Sequence, residues 1–503
     1  MSITVQINPA RRIGQRSPLL YGHFIEHFHR QIYDGIYQPG HPLSDEDGFR
    51  TDILEAMRRI KVPVMRWPGG CFVSAYHWKE AVGPVRTPMF DKAWRVEDPN
   101  TFGTDEYVKM CRKIGCAPYI CTNAGTGTAE EMSDWVEYCN LENEGKYAKW
   151  RIANGYEKPH AVKYWSIGNE NYGFWEIGAK TVEEWGVLVR ESAKMMRHVD
   201  PTTQLSAAAL SDPSWNLNLL KLCGEYIDWI SIHEYWDMVP EVNETASYEQ
   251  CMAFTDRIDH SVHEVRGMLA ALKLDQKIRI AFDEWNLRSW HHPKALNIVQ
   301  GITKEEYLYP RDKNDINSTY TMADAVFTAC FLNAMHRHCD IVGMANFAPI
   351  LNTRGCIYSD DKGIVLRSTY HVFDLYVNHL GDTVVDLWPE SALPAMTVPH
   401  KQGHSVTIDS LDLLATTFSD RPGMAVAAVN KEPELAHAVS LPLDGRMQVV
   451  VRTVNGESKD SYNDVGREDV RLTEVNLGVH EHAVEITLAP HSVNVIELTP
   501  AEN

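Results

Sequence analysis

The architecture can be worked out from one segment, Trp165-Ser166-Ile167-Gly168-Asn169-Glu170-Asn171. The apolar residues before Gly168 predict a buried strand that ends at the glycine, and Glu170 follows the strand end. The carboxyl ends of parallel barrel strands are where active sites form. A glutamate placed there suits general acid and base work.

A second segment repeats this pattern about a hundred residues later, Ile278-Arg279-Ile280-Ala281-Phe282-Asp283-Glu284-Trp285. Here too a short apolar strand leads to a glutamate, Glu284, beside an aromatic residue. Either glutamate alone could be a solvated loop residue. Two carboxylates delivered by two strand ends are what a retaining glycosidase needs, so the matching contexts favour a catalytic pair.

Eight predicted strands alternate with helices from about Leu19 to Phe347. This is the strand count of a (β/α)8 TIM barrel. One of the helices, Thr181 to Val199, begins with a capping box formed by Thr181 and Glu184. A doubly wound open sheet is the alternative, but it would not bring the carboxyl ends of all eight strands around one site. The barrel is therefore favoured.

The residue pattern changes beyond about Tyr376. Short runs of strand-like alternation, such as Met424 to Asn430, are separated there by Asn, Gly, Asp and Pro, which favour turns. This pattern predicts a C-terminal all-β sandwich. Met1 to Asn8 alternates like a strand and has no helix after it, so we expect it to join the sandwich. The predicted domains are a catalytic barrel at 17–375 and a β-sandwich formed by 1–16 plus 376–503.

Composition excludes several classes of partner. The formal net charge of −20, without a cluster of Lys and Arg, argues against nucleic acid. No stretch of about 18 apolar residues predicts a membrane span, and no secretory signal is visible at the N-terminus. The ten cysteines lack a CxxC pair, which indicates reduced thiols in a cytoplasmic protein. A mature extracellular form without its signal is the alternative.

Three histidines, His23, His27 and His29, follow one another near the first barrel strand. A metal-dependent hydrolase is the tempting interpretation, but no carboxylate-histidine spacing supports a site. Barrel strands also carry histidine as hydrogen-bonding packing. We therefore expect neither a metal nor a cofactor.

Several motifs together resemble glycoside hydrolase family 51, the α-L-arabinofuranosidases. The three that carry most of the resemblance are Arg66-Trp67-Pro68-Gly69-Gly70-Cys71-Phe72, Gly168-Asn169-Glu170 and Phe282-Asp283-Glu284-Trp285. Four more agree: Gly22-His23-Phe24-Ile25-Glu26-His27, Asn100-Thr101-Phe102-Gly103, Thr369-Tyr370-His371-Val372-Phe373 and Pro490-His491-Ser492-Val493. These seven motifs extend over nearly the whole chain, in the same order as in the family.

The resemblance implies a role for each matching residue. Glu170 would be the general acid/base and Glu284 the nucleophile of a retaining displacement, with carboxyl groups roughly 5 to 5.5 Å apart. Asn169 would bind the sugar 2-hydroxyl. The remaining substrate-binding candidates are Glu26 and Cys71 in the furanose pocket, Tyr235 beside the nucleophile, Trp290 at the rim, and Asn352. Arg66 is expected to neutralise part of the local negative field, and a structural ion pair is the alternative.

One departure leaves the substrate open. Pro349 stands where many family members carry a glutamine that contacts the sugar, so that contact is missing or comes from Asn352 or Arg354. The leading hypothesis is a retaining exo-acting α-L-arabinofuranosidase that trims arabinoxylan- or arabinan-derived oligosaccharides. The alternatives are β-D-galactofuranosides, a β-1,4-endoglucanase or xylanase, and a non-catalytic carbohydrate-binding protein. The resemblance also implies a homo-oligomer, a trimer or a hexamer.

Overall fold

The computed structural model describes residues 2–210, 212–239, 245–290 and 315–501. Its centre is a closed barrel of eight parallel strands that neighbour one another in chain order. The strands, numbered here from first to eighth, are Gly22–Phe24, Val64–Trp67, Ala117–Thr122, Tyr164–Ile167, Gln204–Ala209, Trp229–Val239, Arg279–Trp290 and Val342–Phe347. The predicted eight-stranded barrel is confirmed.

Most barrel strand residues are buried, as expected where helices cover the outside of a parallel barrel and side chains fill its inside. The sixth and seventh strands are the longest of the eight, with 11 and 12 residues. Their parallel pairing continues past the barrel proper, from Glu284 opposite His233 to Trp290 opposite Val239. The catalytic candidates on these strands therefore sit on paired, hydrogen-bonded backbone.

Ten helices longer than one turn occur in the described part of the chain. They are Thr51–Arg59, Thr104–Ile114, Ala129–Asn140, Gly145–Ala153, Val182–Val199, Pro213–Cys223, Tyr248–Ala253, Ile258–Ala271, Met322–Arg337 and Ser368–His379. The predicted capping box at Thr181 is confirmed, since its hydroxyl accepts the amide N–H of Glu184 while the Glu184 carboxylate accepts that of Thr181. No helix among the described residues is both long and apolar enough to cross a membrane.

The stretch from Glu249 to Leu274 does not form one continuous helix. Instead the chain forms the helix Tyr248–Ala253, a 3-10 turn at Phe254–Arg257, and the helix Ile258–Ala271. Within the 3-10 turn the hydroxyl of Thr255 donates to the Met252 carbonyl, a local bond that competes with regular helix.

The C-terminal part forms the predicted β-sandwich, with its own buried cluster of Val, Ile and Leu. Its nine strands, in spatial order, are Arg471–His480, Met447–Asn455, Val493–Pro500, Met424–Asn430, Leu411–Thr417, Thr383–Pro389, Ile3–Gln15, His437–Pro442 and Ala483–Leu488. The N-terminal strand Ile3–Gln15 pairs antiparallel with Thr383–Pro389 and parallel with His437–Pro442, so it joins the sandwich as predicted. The helix Ser368–His379 runs across the predicted boundary at 375/376, and the domain limits stay a prediction.

Four two-stranded hairpins complete the described strands. They are Met89–Asp91 with Val96–Asp98, Ile357–Asp360 with Gly363–Leu366, Ala395–Pro399 with Ser405–Asp409, and Asn463–Asp464 with Arg467–Glu468. The first hairpin matters most for function, because its turn carries Trp94 to the mouth of the barrel.

Candidate active site

The two predicted catalytic glutamates meet at the carboxyl ends of the fourth and seventh strands. Gly168 ends the fourth strand with φ of +72°, and an added Cβ there would lie 2.5 Å from the Trp185 ring. This conformation favours glycine. An oxygen of Glu170, an oxygen of Glu284 and a nitrogen of His233 all lie within 4.8 Å of one another. The strand-end prediction thus brings both carboxylates to one place.

Glu284 is buried and held at both oxygens. Its Oε1 accepts a hydrogen bond from Arg66 Nη1 at 2.6 Å, and its Oε2 accepts one from the Tyr235 hydroxyl at 2.9 Å. Charge-assisted bonds of this kind fix the direction of a carboxylate. Arg66 and Tyr235 therefore lie beside Glu284 and hold its carboxylate.

Arg66 connects Glu284 to two further residues. It is fully buried, its Nη2 donates to Asn169 Oδ1 at 3.0 Å, and its Nε lies 3.6 Å from Asp283 Oδ2. Its guanidinium also lies over the Phe24 ring, 5.3 Å from the centroid. The planar donors of arginine suit such simultaneous contacts. Arg66 fixes the amide orientation of Asn169 and the carboxylate of Glu284 together.

Glu170 is held by two residues that the sequence analysis missed. His233 Nδ1 lies 2.8 Å from Glu170 Oε1, and Trp175 Nε1 donates to Glu170 Oε2 at 2.6 Å. Burial alone would lower the pKa of His233, but Glu284, Asp283 and Glu170 raise it to about 10. His233 is therefore an imidazolium at neutral pH, and it lies between the two carboxylates.

Asp283 interacts with two cations of this network, His233 and Arg66. Burial alone would raise its pKa, but His233, Arg66 and the Ser231 hydroxyl lower it to about 2. Its two oxygens accept hydrogen bonds from Ser231 at 2.5 Å and from Tyr119 at 2.6 Å. Its position next to Glu284 in the sequence was the one signal that could have identified it.

Glu26 lies just beyond the first strand, as predicted, and is buried. Its Oε1 accepts the Phe72 amide N–H at 3.2 Å and the Trp94 indole N–H at 2.9 Å. Burial and the nearby charge of Glu284 raise the pKa of Glu26 to about 8. A Cβ added at Gly70 would fall 2.6 Å from the Glu26 carboxylate, so the backbone there approaches the acid closely.

Cys71 faces three acidic side chains. Burial, together with the negative charges of Glu176, Glu170 and Glu26, raises the pKa of its thiol well above the ordinary value, so it stays protonated. Glu176 is a further residue that sequence reasoning missed. It accepts hydrogen bonds from Ser74 and, at 3.4 Å, from Asn169 Nδ2, and burial raises its pKa to about 7.

Comparison with known proteins agrees with this geometry. Residues 56–253 match the family model described as Alpha-L-arabinofuranosidase 1 domain, and residues 283–492 match Alpha-L-arabinofuranosidase C-terminal domain. Alpha-L-arabinofuranosidase C of Emericella nidulans is 34% identical over 490 residues, which cover 93% of each chain. The chain belongs to the α-L-arabinofuranosidases.

Other relatives place this arabinofuranosidase in glycoside hydrolase family 51. The chain is 31% identical to the intracellular exo-α-(1→5)-L-arabinofuranosidase of Acetivibrio thermocellus, over 84% of this chain and 83% of that one. The crystal structure of an α-L-arabinofuranosidase from Thermotoga maritima, in an arabinose complex, superposes with a TM-score of 0.89 at 34% identity, covering 99% of this chain and 100% of the other. The family 51 enzyme of Thermotoga petrophila gives 0.86 at 35% identity, with the same coverage.

Two of the predicted substrate-binding residues of this arabinofuranosidase are not brought to the carboxylates by any described contact. The Asn352 amide donates to the Arg30 carbonyl at 2.6 Å and accepts the Ser359 amide N–H, so it holds its own loop. The side chain of Trp290 lies outside the described residues. The sugar contacts proposed for both stay predictions.

The position that departs from the family, Pro349, is buried next to the eighth strand. Of the two residues considered as its replacement, Arg354 places its guanidinium over the Tyr235 ring, 5.1 Å from the centroid. Tyr235 in turn contacts Glu284, so Arg354 is connected to the carboxylate pair through one residue. The described contacts of Asn352 make no such connection.

The three histidines near the first strand of the arabinofuranosidase are engaged separately. His27 stacks on Phe72 and lies 2.7 Å from Asp98, and His29 lies 2.8 Å from Asp315. His23 is fully buried, and desolvation lowers its pKa to about 3. Within the described ranges, the group of three residues able to face one shared ion is Glu170, His233 and Glu284.

Proposed function

We propose that the chain is a retaining, exo-acting α-L-arabinofuranosidase, with Glu284 as nucleophile and Glu170 as general acid/base. The observation that carries this proposal is the close approach of the two carboxylates, each of which places an oxygen within 4.8 Å of an oxygen of the other. A retaining displacement needs the carboxyl groups about 5 to 5.5 Å apart, whereas an inverting one needs about 6.5 to 9.5 Å to admit a water.

The surroundings of each glutamate suit its proposed step. In the first step Glu284 Oε1 or Oε2 attacks the anomeric carbon while Glu170 protonates the leaving oxygen. In the second step Glu170 takes a proton from the water that breaks the glycosyl–Glu284 bond. Arg66 and Tyr235 aim the Glu284 carboxylate before attack. His233, as an imidazolium, offsets part of the negative charge that two adjacent carboxylates would otherwise concentrate.

Asn169 is proposed to hold the sugar 2-hydroxyl. Its amide orientation is fixed because Arg66 can only donate, so the oxygen of Asn169 must face Arg66 and the nitrogen must face Glu176. The remaining N–H of this amide is then available for a hydroxyl. Such a contact strengthens as oxocarbenium character develops in the transition state.

The substrates that we propose are arabinoxylan- or arabinan-derived oligosaccharides with a terminal arabinofuranose. The name of the Acetivibrio thermocellus relative, an exo-α-(1→5)-L-arabinofuranosidase, supports the exo mode, and its intracellular assignment supports a cytoplasmic location. A trimer or hexamer remains a prediction from the family resemblance. β-D-Galactofuranosides and β-1,4-glucans are the alternatives that the experiment must separate, because Pro349 lacks a polar group for the sugar.

The test measures hydrolysis of aryl α-L-arabinofuranoside, β-D-galactofuranoside and β-glucoside by the wild type, Glu284→Ala and Glu170→Ala. We expect fast release from the arabinofuranoside alone, and a loss of several orders of magnitude in Glu284→Ala. Glu183→Ala, at an exposed glutamate on the helix Val182–Val199, is the matched control and should retain activity.

Azide distinguishes the two proposed roles. It should restore turnover of the activated aryl substrate in both catalytic variants, giving an azide product of inverted configuration with Glu284→Ala and of retained configuration with Glu170→Ala. Release from the galactofuranoside but not from the arabinofuranoside would overturn the sugar assignment. Inverted product from the wild type would overturn the retaining mechanism.

A further inference from the structure

An aromatic cluster lies beside the proposed acid/base, formed by the loop that follows the fourth barrel strand and by one ring of the helix Pro213–Cys223. Phe174 is 74% exposed, and its ring centroid is 5.3 Å from that of Trp175, with the planes nearly perpendicular. The Trp175 ring also meets Tyr172 at 6.1 Å, and Tyr172 meets Trp215 at 6.4 Å. One large apolar side chain is thus presented to solvent on a base of packed rings.

Trp175, one of the rings packed beneath Phe174, is fixed relative to Glu170. The indole N–H of Trp175 donates to Glu170 Oε2 at 2.6 Å. A Cβ added at Gly173 would lie 2.4 Å from atoms of the same indole, so the backbone packs directly against the ring. Trp175 is therefore held from two directions, and Phe174 keeps a defined place relative to the acid/base.

The two oxygens of Glu170 face different parts of the site. Oε1 faces His233, whose Nδ1 lies 3.7 Å from Glu284, so this oxygen is directed to the side of the nucleophile. Oε2 accepts the indole N–H of Trp175, whose ring neighbours that of the exposed Phe174. In the proposed displacement the leaving sugar departs on the acid/base side of the bond, away from the nucleophile.

We propose that Phe174, supported by Trp175, is a binding platform for the leaving-group sugar, the neutral residue next to the terminal arabinofuranose in an oligosaccharide. This inference rests on the proposed function and deepens it. A sugar ring presents C–H groups on its face, and covering an exposed phenyl ring with them removes apolar surface from water while leaving the hydroxyls solvated. The platform recognises the ring without reading its hydroxyls.

The test compares two substrates that share the terminal sugar and differ in the leaving group. Methyl α-L-arabinofuranoside has no leaving-group sugar, whereas α-(1→5)-linked arabinotriose has two. For Phe174→Ala we expect kcat/KM for the triose to fall about 3- to 10-fold, mainly through KM, with the methyl glycoside changed less than 2-fold. Phe174→Tyr should restore the triose value. Trp388→Ala, at a half-exposed tryptophan on the sandwich strand Thr383–Pro389, is the control and should change neither value.

Three outcomes separate the inferences. A selective loss on the triose supports the platform. Equal kcat/KM of wild type and Phe174→Ala on the triose, or an equal loss on both substrates, overturns the platform and leaves the arabinofuranosidase proposal intact. A wild type that hydrolyses neither substrate overturns the proposed function, and the platform falls with it.

Discussion

Replacing Glu26 with glutamine should stabilise the protein at alkaline pH. The Glu26 carboxyl is buried, and its pKa is raised from the ordinary value of 4.5 to about 8, by burial first and then by Glu284. Its Oε1 accepts both the Phe72 and the Trp94 N–H groups, and a glutamine oxygen can accept the same two bonds. The substitution therefore removes a titratable proton and keeps the hydrogen bonds.

The size of the effect follows from the pKa difference between the folded and the unfolded chain. Because the folded protein binds this proton more tightly, the free energy of unfolding falls as pH rises from about 4.5, and the loss is complete above about 8. One pKa unit corresponds to about 1.36 kcal/mol. Between pH 5 and pH 8 the wild type should lose about 3 kcal/mol at this site, and Glu26→Gln should not.

The assay is urea unfolding of wild type and Glu26→Gln at pH 5 and pH 8. The difference in unfolding free energy should grow by about 3 kcal/mol in favour of the variant. For a chain of 503 residues unfolding as one unit, this corresponds to about 3 °C in Tm. A difference that is the same at both pH values would refute the reasoning, because it would mean that Glu26 is already ionised in the folded protein at pH 5.

Three further predictions concern the neighbours of the catalytic pair. Tyr235→Phe removes one charge-assisted hydrogen bond to Glu284, worth about 1.5 to 3 kcal/mol, and steady-state kinetics should show a 10- to 150-fold lower kcat/KM with an unchanged circular dichroism spectrum. Glu176→Gln removes a negative charge close to the acid/base, so the alkaline limb of the kcat/KM profile should move to lower pH; an unmoved limb contradicts this role. Asp283→Asn should lower the free energy of unfolding by about 2 kcal/mol, equally at pH 5 and pH 8. The reason is that this low-pKa carboxylate stabilises the folded protein above about pH 4 and loses that contribution as pH falls toward 2. Urea unfolding at both pH values measures the cost, and a cost that differs between them contradicts this prediction.

The barrel and the glutamate pair could be predicted because both depend on local patterns. A buried strand that ends in glycine and glutamate is visible in a few residues, and parallel strands bring their ends together. His233 and Trp175 could not be identified in this way. Their roles come from contacts with Glu170 across the mouth of the barrel, and nothing in their own sequence neighbourhoods distinguishes a ring that packs from a ring that holds an acid.

Trp94 and Asn352 also have contacts that their own sequence neighbourhoods do not indicate. Trp94 reaches Glu26 from a hairpin 68 residues farther along, so no spacing in the sequence connects them. The sugar contact of Asn352 stays a prediction, and the structure adds that its amide bonds the backbone of Arg30 and Ser359, which the sequence did not indicate. An asparagine that caps a loop and one that binds a ligand look alike in sequence, because both require only a short amide.

The N-terminal strand Ile3–Gln15 has a consequence for biosynthesis. It is synthesised before the barrel, yet Gln15 pairs with Thr383, which is made about 370 residues later. At about 5 to 20 residues per second, the strand waits roughly 20 to 70 s for its partner while the whole barrel is translated. During that interval its edge carries unpaired backbone groups, and premature pairing with another nascent chain competes with the native arrangement. Slower translation should therefore lengthen this exposure and increase aggregation, whereas chaperone capture of the strand Ile3–Gln15 should reduce it.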